Sequence, residues 1–428
     1  MKHILLLLAV AAVSTVLASC SQNANASAKN FETGIIEETT ESIAEAEPYE
    51  IRLSEQQQTF VNDNNAFTLK FLKTVNDEDK SGKSFIYSPL SITYVLSMVN
   101  AAAEGNTQRE LEQTLGFREG GIKAVNEFCK TLIDSLPLVD SKVQLNIANA
   151  IFVNKNYELK SQFKENMQNY YAAKAESHDF SSQKTLALIN NWCKDKTKGM
   201  IPRILNDLNP EAVSYLLNAI YFKANWTKVF DKSDTKTEAF TTADGKVDMP
   251  IMYQYDRFRY MKNSTFAAVD LPYSNEQWSM TVMLPEKGKN VNDVINFLAK
   301  EGMTFMKEST FYDVDLKLPR FETESTTENL VGTLKSLGIK QVFNDQNAGI
   351  PNMCNGPVYI SNMLQKARIK VDETGSEAAA VTVAEVCLEM CIEEPEPPVI
   401  FHADHPFVYV IREASSGVIL FVGKFTGK

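Results

Sequence analysis

The chain is predicted to be an α+β protein, because helical periodicity fills its first third, alternating and continuous apolar runs follow, and a hairpin signature closes it. From about Ser54 to Lys428 no second linker, low-complexity stretch or internal repeat interrupts the sequence, so residues 53–428 are expected to form one large domain. With 44% hydrophobic and 23% charged residues among 428, the chain can bury a substantial core. Its net charge of −11 argues against a surface that neutralises phosphates, and nucleic acid is set aside as a partner.

Ahead of that domain, Lys2 and His3 precede an apolar run from Ile4 to Leu17 that is too short for a mature membrane span, so residues 1–19 read as a leader. The run ends in Leu17-Ala18-Ser19-Cys20, which resembles the bacterial lipobox and implies cleavage before a lipidated Cys20. Two or three acyl chains on one cysteine anchor a protein where a single chain does not. From Ser21 to Glu50 the sequence is rich in Asn, Ala, Ser, Thr and Glu, with no basic residue after Lys29. Residues 20–52 therefore read as a lipidated, disordered acidic tether. Such a tether has an r.m.s. reach of about 30 Å and a limit near about 100 Å. The expected location is the bacterial cell envelope, at the outer membrane, facing the periplasm or the outside, with membrane contact through the lipid only.

The domain's elements follow in order. Phe60, Phe67, Phe71 and Val75 recur at helical spacing, and Leu90 to Ala103 is a helix opened by Ser88-Pro89, a cap with Pro at the first helical position. Thr107-Gln108-Arg109-Glu110 reads as a capping box opening another helix, which Gly116 closes. Strands take over with Val143, Leu145 and Ile147 alternating with Gln144 and Asn146, while Leu216 to Phe222 is nearly all apolar and suits a strand buried on both faces. At the end, Phe407 to Ile411 and Val418 to Val422 flank Ala414-Ser415-Ser416-Gly417, a hairpin signal.

Enzyme chemistry is poorly supplied. There is no Gly-x-Ser-x-Gly elbow, no P-loop and no Gly-x-Gly-x-x-Gly fingerprint, so catalysis is not expected and no cofactor is implied. Apart from His3 the histidines are His178, which stands alone, and His402 and His405, which flank Ala403-Asp404 without a Cys or Glu at ligand spacing; no metal site is expected. Besides Cys20, the cysteines Cys129, Cys193, Cys354, Cys387 and Cys391 are odd in number and irregular in spacing, which suits buried apolar residues better than a disulfide framework.

The unusual stretch runs from Asp372 to Glu389. Taken by alternate residues, one side carries Ser376, Ala378, Ala380, Thr382, Ala384, Val386 and Leu388, all small or apolar, and the other carries Glu377, Glu385 and Glu389. Small inward residues are what a strand needs to enter an already packed sheet, where large ones would overpack. Composition alone also admits an ordinary half-buried strand or the start of an Ala-rich helix.

The flanks bring in a resemblance. Phe85-Ile86-Tyr87-Ser88-Pro89-Leu90-Ser91-Ile92 resembles the shutter segment of the serpin family. Asn218-Ala219-Ile220-Tyr221-Phe222-Lys223-Ala224-Asn225-Trp226 resembles its central strand with the breach tryptophan. Val371-Asp372-Glu373-Thr374-Gly375-Ser376-Glu377-Ala378-Ala379-Ala380 resembles the hinge, and Asp404-His405-Pro406-Phe407 the closing pattern. The resemblance implies three β-sheets, eight to nine helices and an exposed reactive-centre loop, in a monomer that traps proteases as covalent acyl complexes by inserting the cut loop into its central sheet. It also implies a hinge at Glu373, Gly375, Ser376, Ala378, Ala379, Ala380 and Thr382, and shutter and breach positions at Ser88, Ser91, Asn218, Trp226 and Gln365. Gln365 stands where the family usually has a histidine, and Ser84 where it commonly has an asparagine. Some members of the family do not inhibit and act as carriers, chaperones or storage proteins.

Family spacing places the scissile bond after Glu389, with Met390 following, whereas counting back from Pro397-Pro398 gives a later position; the register stays open between Val386 and Ile392, with Cys387, Leu388 and Cys391 as alternatives. No Lys or Arg occurs between Lys370 and Arg412, so a trypsin-like enzyme has nothing to hold. Elastase-like or chymotrypsin-like serine proteases rank first as partners and papain-like cysteine proteases second. In an extended strand Cys387 and Cys391 stand about 13 Å apart at Cα, against the roughly 4.4 to 6.8 Å of a disulfide, so bridging them would pinch the loop.

Overall fold

Ser54 accepts the backbone N–H of Gln57 at 3.2 Å, and the Gln57 side chain accepts that of Ser54 at 3.0 Å. This capping box opens α1 (Glu55–Glu78). The structure, a computed structural model, describes residues 49–118, 120–327, 330–376 and 397–428. The leader and nearly all of the tether lie outside the described residues. Ile51 already packs in the core, its N–H donating to Ser415 Oγ at 3.3 Å.

After α1 come β1 (Phe85–Tyr87), α2 (Pro89–Asn100), α3 (Gly105–Leu115), α4 (Gly121–Ser135), β2 (Gln144–Asn154), β3 (Glu158–Leu159), α5 (Ser161–Tyr171), β4 (Lys174–His178) and α6 (Gln183–Lys196). Strands then dominate: β5 (Ser214–Asn225), β6 (Lys236–Thr242), β7 (Gly245–Lys262), β8 (Phe266–Tyr273), β9 (Trp278–Pro285), α7 (Val291–Glu301), β10 (Thr310–Pro319), β11 (Phe321–Thr327) and α8 (Val331–Leu337). The chain ends with β12 (Cys354–Asn355), β13 (Asn362–Asp372), β14 (Gly375–Ser376), β15 (Val399–His402), β16 (Phe407–Glu413) and β17 (Ile419–Phe425). Eight helices and three sheets are thus present among the described residues, in the helices-first order the sequence implies.

The nine-stranded sheet runs β1-β17-β16-β9-β8-β7-β10-β15 with β6 on the flank of β7, the six-stranded sheet runs β11-β13-β14-β5-β2-β4, and β12 pairs with β3. β5 lies between two apolar clusters: Leu216, Ile220 and Phe222 join the main core, and Leu217 and Ala219 pack with Ile189, Trp192 and Cys193 of α6. Burial on both faces explains its continuous apolar run.

Two local expectations change. The capping box at Thr107 does not form, because α3 starts at Gly105 with no side-chain cap. The Thr107 hydroxyl donates instead to the Ala348 carbonyl at 2.8 Å, and Glu110 accepts the N–H groups of Lys340 and Gln341 at 2.7 Å each. The polar pair caps a neighbouring segment rather than its own helix. Gly116 does close α3, at φ 87°. The predicted strand at Val143 begins one residue later and continues to Asn154.

Candidate functional site

The six-stranded sheet contains a slot between β13 and β5. Among the described residues, these strands pair directly, in parallel, only over Asn362–Gln365 and Tyr215–Asn218. At the far end the two residues of β14 sit between them, Ser376 opposite both Val371 and Ala224, and Gly375 opposite both Asp372 and Asn225. The first two residues of the predicted insertion segment are therefore already part of the sheet. Gly375 has φ 149°, and a Cβ there would stand 2.1 Å from the Ala224 carbonyl oxygen and 2.6 Å from Asn225 Cα. Those are backbone atoms that cannot move aside cheaply, so only glycine fits.

Ser376 is 1% exposed, and its hydroxyl meets the phenol of Tyr273 at 2.8 Å. Burial pushes the Tyr273 phenol far above its ordinary value, the Ser376 hydrogen bond working the other way, so it remains neutral. Tyr273 stacks on Trp226 at 4.4 Å between centroids with the planes 10° apart. Trp226 in turn holds the turn that leads into β14: its indole N–H donates to the Asp372 carbonyl at 3.0 Å and its backbone N–H to that of Thr374 at 2.9 Å. Glu373 accepts from Arg320 and from Thr235 Oγ1, the latter at 2.8 Å. Burial raises the Glu373 carboxyl, but those two bonds outweigh it and hold the group below its ordinary value. Asp372 is likewise lowered despite burial, by the hydroxyl and N–H of Thr374 at 2.6 and 3.0 Å and by Lys370.

About 20 Å along the slot, where direct pairing begins, lie the other predicted positions. Ser88 caps α2, and the Ser91 hydroxyl donates to Ser88 Oγ at 2.9 Å. Gln365 clamps the Ser88 backbone from β13, its Oε1 accepting the N–H at 3.1 Å and its Nε2 donating to the carbonyl at 2.8 Å. Asn218, opposite Gln365 in the sheet, donates to Asn149 Oδ1 of β2 at 2.7 Å. Ser88, Ser91, Asn218 and Gln365 thus gather at one end of the slot, and Trp226, Glu373, Gly375 and Ser376 at the other.

The register between the two ends is continuous. Carried on from Ser376 without a break, it would set position 382 opposite both Gln365 and Asn218, which already face each other. A strand could enter if β13 and β5 part by one strand spacing, about 4.8 Å, with no sliding along their length. Residues on the Ser376 side of such a strand would meet Ile369 and Phe222, then Ala367 and Ile220, all buried in the main core.

Ala378, Ala379, Ala380, Thr382, Cys387, Leu388, Glu389, Met390 and Cys391 lie outside the described residues, as does Cys20. The remaining cysteines are buried, and burial pushes the thiols of Cys129 and Cys193 up to about 12 and that of Cys354 up to about 11, which makes them unreactive. His402 meets Asp315 at 2.8 Å, and His405 meets Asp404 at 2.8 Å and the Pro285 carbonyl at 3.1 Å. Tyr273, Thr235, Arg320 and Asn149 were not anticipated as part of the site. Asn149 did carry a signal, being an amide in a run of apolar strand residues that needs a buried partner, and Asn218 in its own apolar run supplies it.

The Serpin family profile, described as serine protease inhibitor, matches residues 62–427. An uncharacterised serpin-like protein of Thermococcus kodakarensis is 31% identical over 379 residues, 88% of this chain and 87% of that protein. The leukocyte elastase inhibitor of Homo sapiens is 30% identical over 380 residues, 85% of this chain and 98% of that protein. Among solved structures, the thermophilic serpin tengpin in its native state superposes with a TM-score of 0.79 at 28% identity, covering 89% of this chain and 96% of that one.

Proposed function

Because the chain belongs to the serpin family, whose members are commonly protease inhibitors, we propose that it is a suicide-substrate inhibitor of serine or papain-like cysteine endopeptidases. The protease nucleophile attacks the carbonyl of the residue before the scissile bond, the peptide C–N bond breaks, and the new amine leaves with the proton delivered by the protease's own base. Insertion of the freed arm then competes with water for the acyl-enzyme. The observation that carries the reading is the slot: Gly375 and Ser376 occupy its entrance, and β13 and β5 beyond them keep the register an inserted strand requires. Nothing large or charged falls on the inward side from Ser376 to Ala384.

The scissile bond is placed after Glu389, within the span Val386 to Ile392. With no Lys or Arg from Val371 to Ile411, the target is elastase-like or chymotrypsin-like before papain-like, and not trypsin-like. The inhibitor acts as a monomer held to the outer membrane of a bacterial envelope through a lipidated Cys20. Incubation with elastase, chymotrypsin and papain should give an SDS-resistant complex with at least one of them, whereas clean loop cleavage by all three would defeat the inhibitor reading. Mass spectrometry of the mature amino terminus tests the anchor, and an unmodified start downstream of Cys20 would end it.

A further inference from the structure

Asparagine followed by glycine occurs once in the chain, at Asn355-Gly356. The pair matters chemically because asparagine is a residue that ages and glycine has no side chain to crowd its own backbone nitrogen. That nitrogen can therefore reach the carbonyl carbon of the preceding side chain and close a cyclic imide. The fold decides whether it does, since a buried or hydrogen-bonded backbone is held away from the attack.

Here the backbone is open. Asn355, Gly356 and Pro357 are all exposed. Gly356 stands at φ 96°, and a Cβ there would meet nothing within 4 Å, so no neighbour confines it. The ladder of β12 with β3 ends at Asn355 opposite Glu158, and among the described residues the Gly356 N–H donates to no acceptor. The chain is pinned on either side of this short arch. The Met353 carbonyl accepts the Lys160 N–H at 3.0 Å, and the Ile360 N–H donates to the Val342 carbonyl at 3.1 Å, with Cys354, Val358 and Ile360 buried.

We propose that Asn355 is a self-modification site that converts to aspartate and isoaspartate without an enzyme, water being the co-reactant. The Gly356 nitrogen attacks Asn355 Cγ; the N–Cγ bond forms, the Cγ–Nδ2 bond breaks, and Nδ2 leaves as ammonia with the proton given up by the Gly356 nitrogen. Water then opens the imide at either carbonyl. One opening gives aspartate, the other isoaspartate, in which the main chain runs through the side-chain carbon. Asn355 Nδ2 donates to Glu158 Oε2 at 3.0 Å across the two-residue ladder. Either product removes that donor and puts a carboxylate beside a carboxylate, and like charges directly opposite each other weaken a strand pair. Conversion thus loosens β12 from β3. The inference does not depend on the inhibitor reading.

The test holds the full chain at mildly alkaline pH, where the backbone nitrogen sheds its proton more readily, and follows every asparagine by peptide mapping and mass spectrometry. Conversion at position 355 should run several-fold ahead of every other asparagine, yield both products, and be lost in Asn355→Gln. An Asn355 that stays intact in the folded chain while converting in urea would overturn the proposal, because the fold would then protect it. The variant Asn355→Asp supplies one product without ageing. It should melt lower than the parent by on the order of 1–2 °C, and adding Glu158→Gln should restore the difference. Equal melting of parent and Asn355→Asp, or a deficit that Glu158→Gln leaves in place, would overturn the loosening of β12 by charge.

Discussion

At the scale of single residues, the hinge depends on one glycine and two carboxylates. Gly375→Ala would drive a methyl into the Ala224 carbonyl, so β14 should leave the slot at a cost of about 1–3 kcal/mol. The expected outcome is a shift from covalent complex toward cleaved chain on a gel, and an unchanged partition would contradict the geometry. Asp372 and Glu373 carry depressed carboxyl values in the folded hinge. A group of that kind contributes stability above its unfolded value and loses it as pH falls through the folded one. Hinge retention should therefore be flat from about pH 5 to 8 and weaken only below the ordinary carboxylate range near about 4. Gln365 cannot titrate, so the shutter adds no step of its own. Gln365→His should introduce one, read as a difference in thermal stability between variant and parent that changes around about pH 6.5. Variant and parent curves that run parallel through that window would show that position 365 does not couple to the sheet's stability.

At the scale of elements, the slot makes a prediction the sequence alone could not. Continued from Ser376, the register would place position 377 between Lys370 of β13 and Lys223 of β5. Glu377 is the residue there, so the side of the strand facing away from the core would gain an acid between two lysines on insertion. Glu377→Lys should instead set three cations in a row and slow insertion, reading as several-fold more cleaved chain per complex, and Glu377→Gln should lie between; equal partition for all three would refute the register. What the sequence made legible were the parts with strong local periodicity: α1, α2, the doubly buried β5 and the closing hairpin of β16 and β17. The motifs singled out the hinge and shutter residues, of which the described ones lie at the two ends of the slot. Long-range partners were not, because Tyr273 reaches Ser376 across a separation of 103 residues and Gln365 reaches Ser88 across 277, and nothing in either local pattern specifies such a pairing. The misread box at Thr107 has the same origin: its hydroxyl and Glu110 serve the segment near Ala348 and Lys340, a tertiary demand that outweighed the local capping pattern.

At the scale of the whole molecule, the described part of the six-stranded sheet carries a slot that one further strand would fill. Among the described residues, the slot beyond Ser376 is closed only by the short direct pairing of Asn362–Gln365 with Tyr215–Asn218. In the proposed mechanism, a cut between Val386 and Ile392 frees an arm that follows Ser376. The freed arm can then continue down the slot as far as the Asn362 and Tyr215 pair, gaining ladder hydrogen bonds on both sides for the few direct β13–β5 bonds it displaces. At a net of about 0.5–1.5 kcal/mol per bond, ten or so new bonds amount to on the order of 10 kcal/mol. Since about 1 kcal/mol moves the midpoint of a domain this large by roughly 2 °C, the nicked protein should melt on the order of 20 °C above the intact one. The measurement is calorimetry before and after limited digestion with elastase, with the cut mapped by mass spectrometry. Most cleavages loosen a fold by lifting a tether, so a nicked chain that melts at or below the intact temperature would mean that the arm stays outside the sheet. The protein would then lack the driving force that trapping a protease requires.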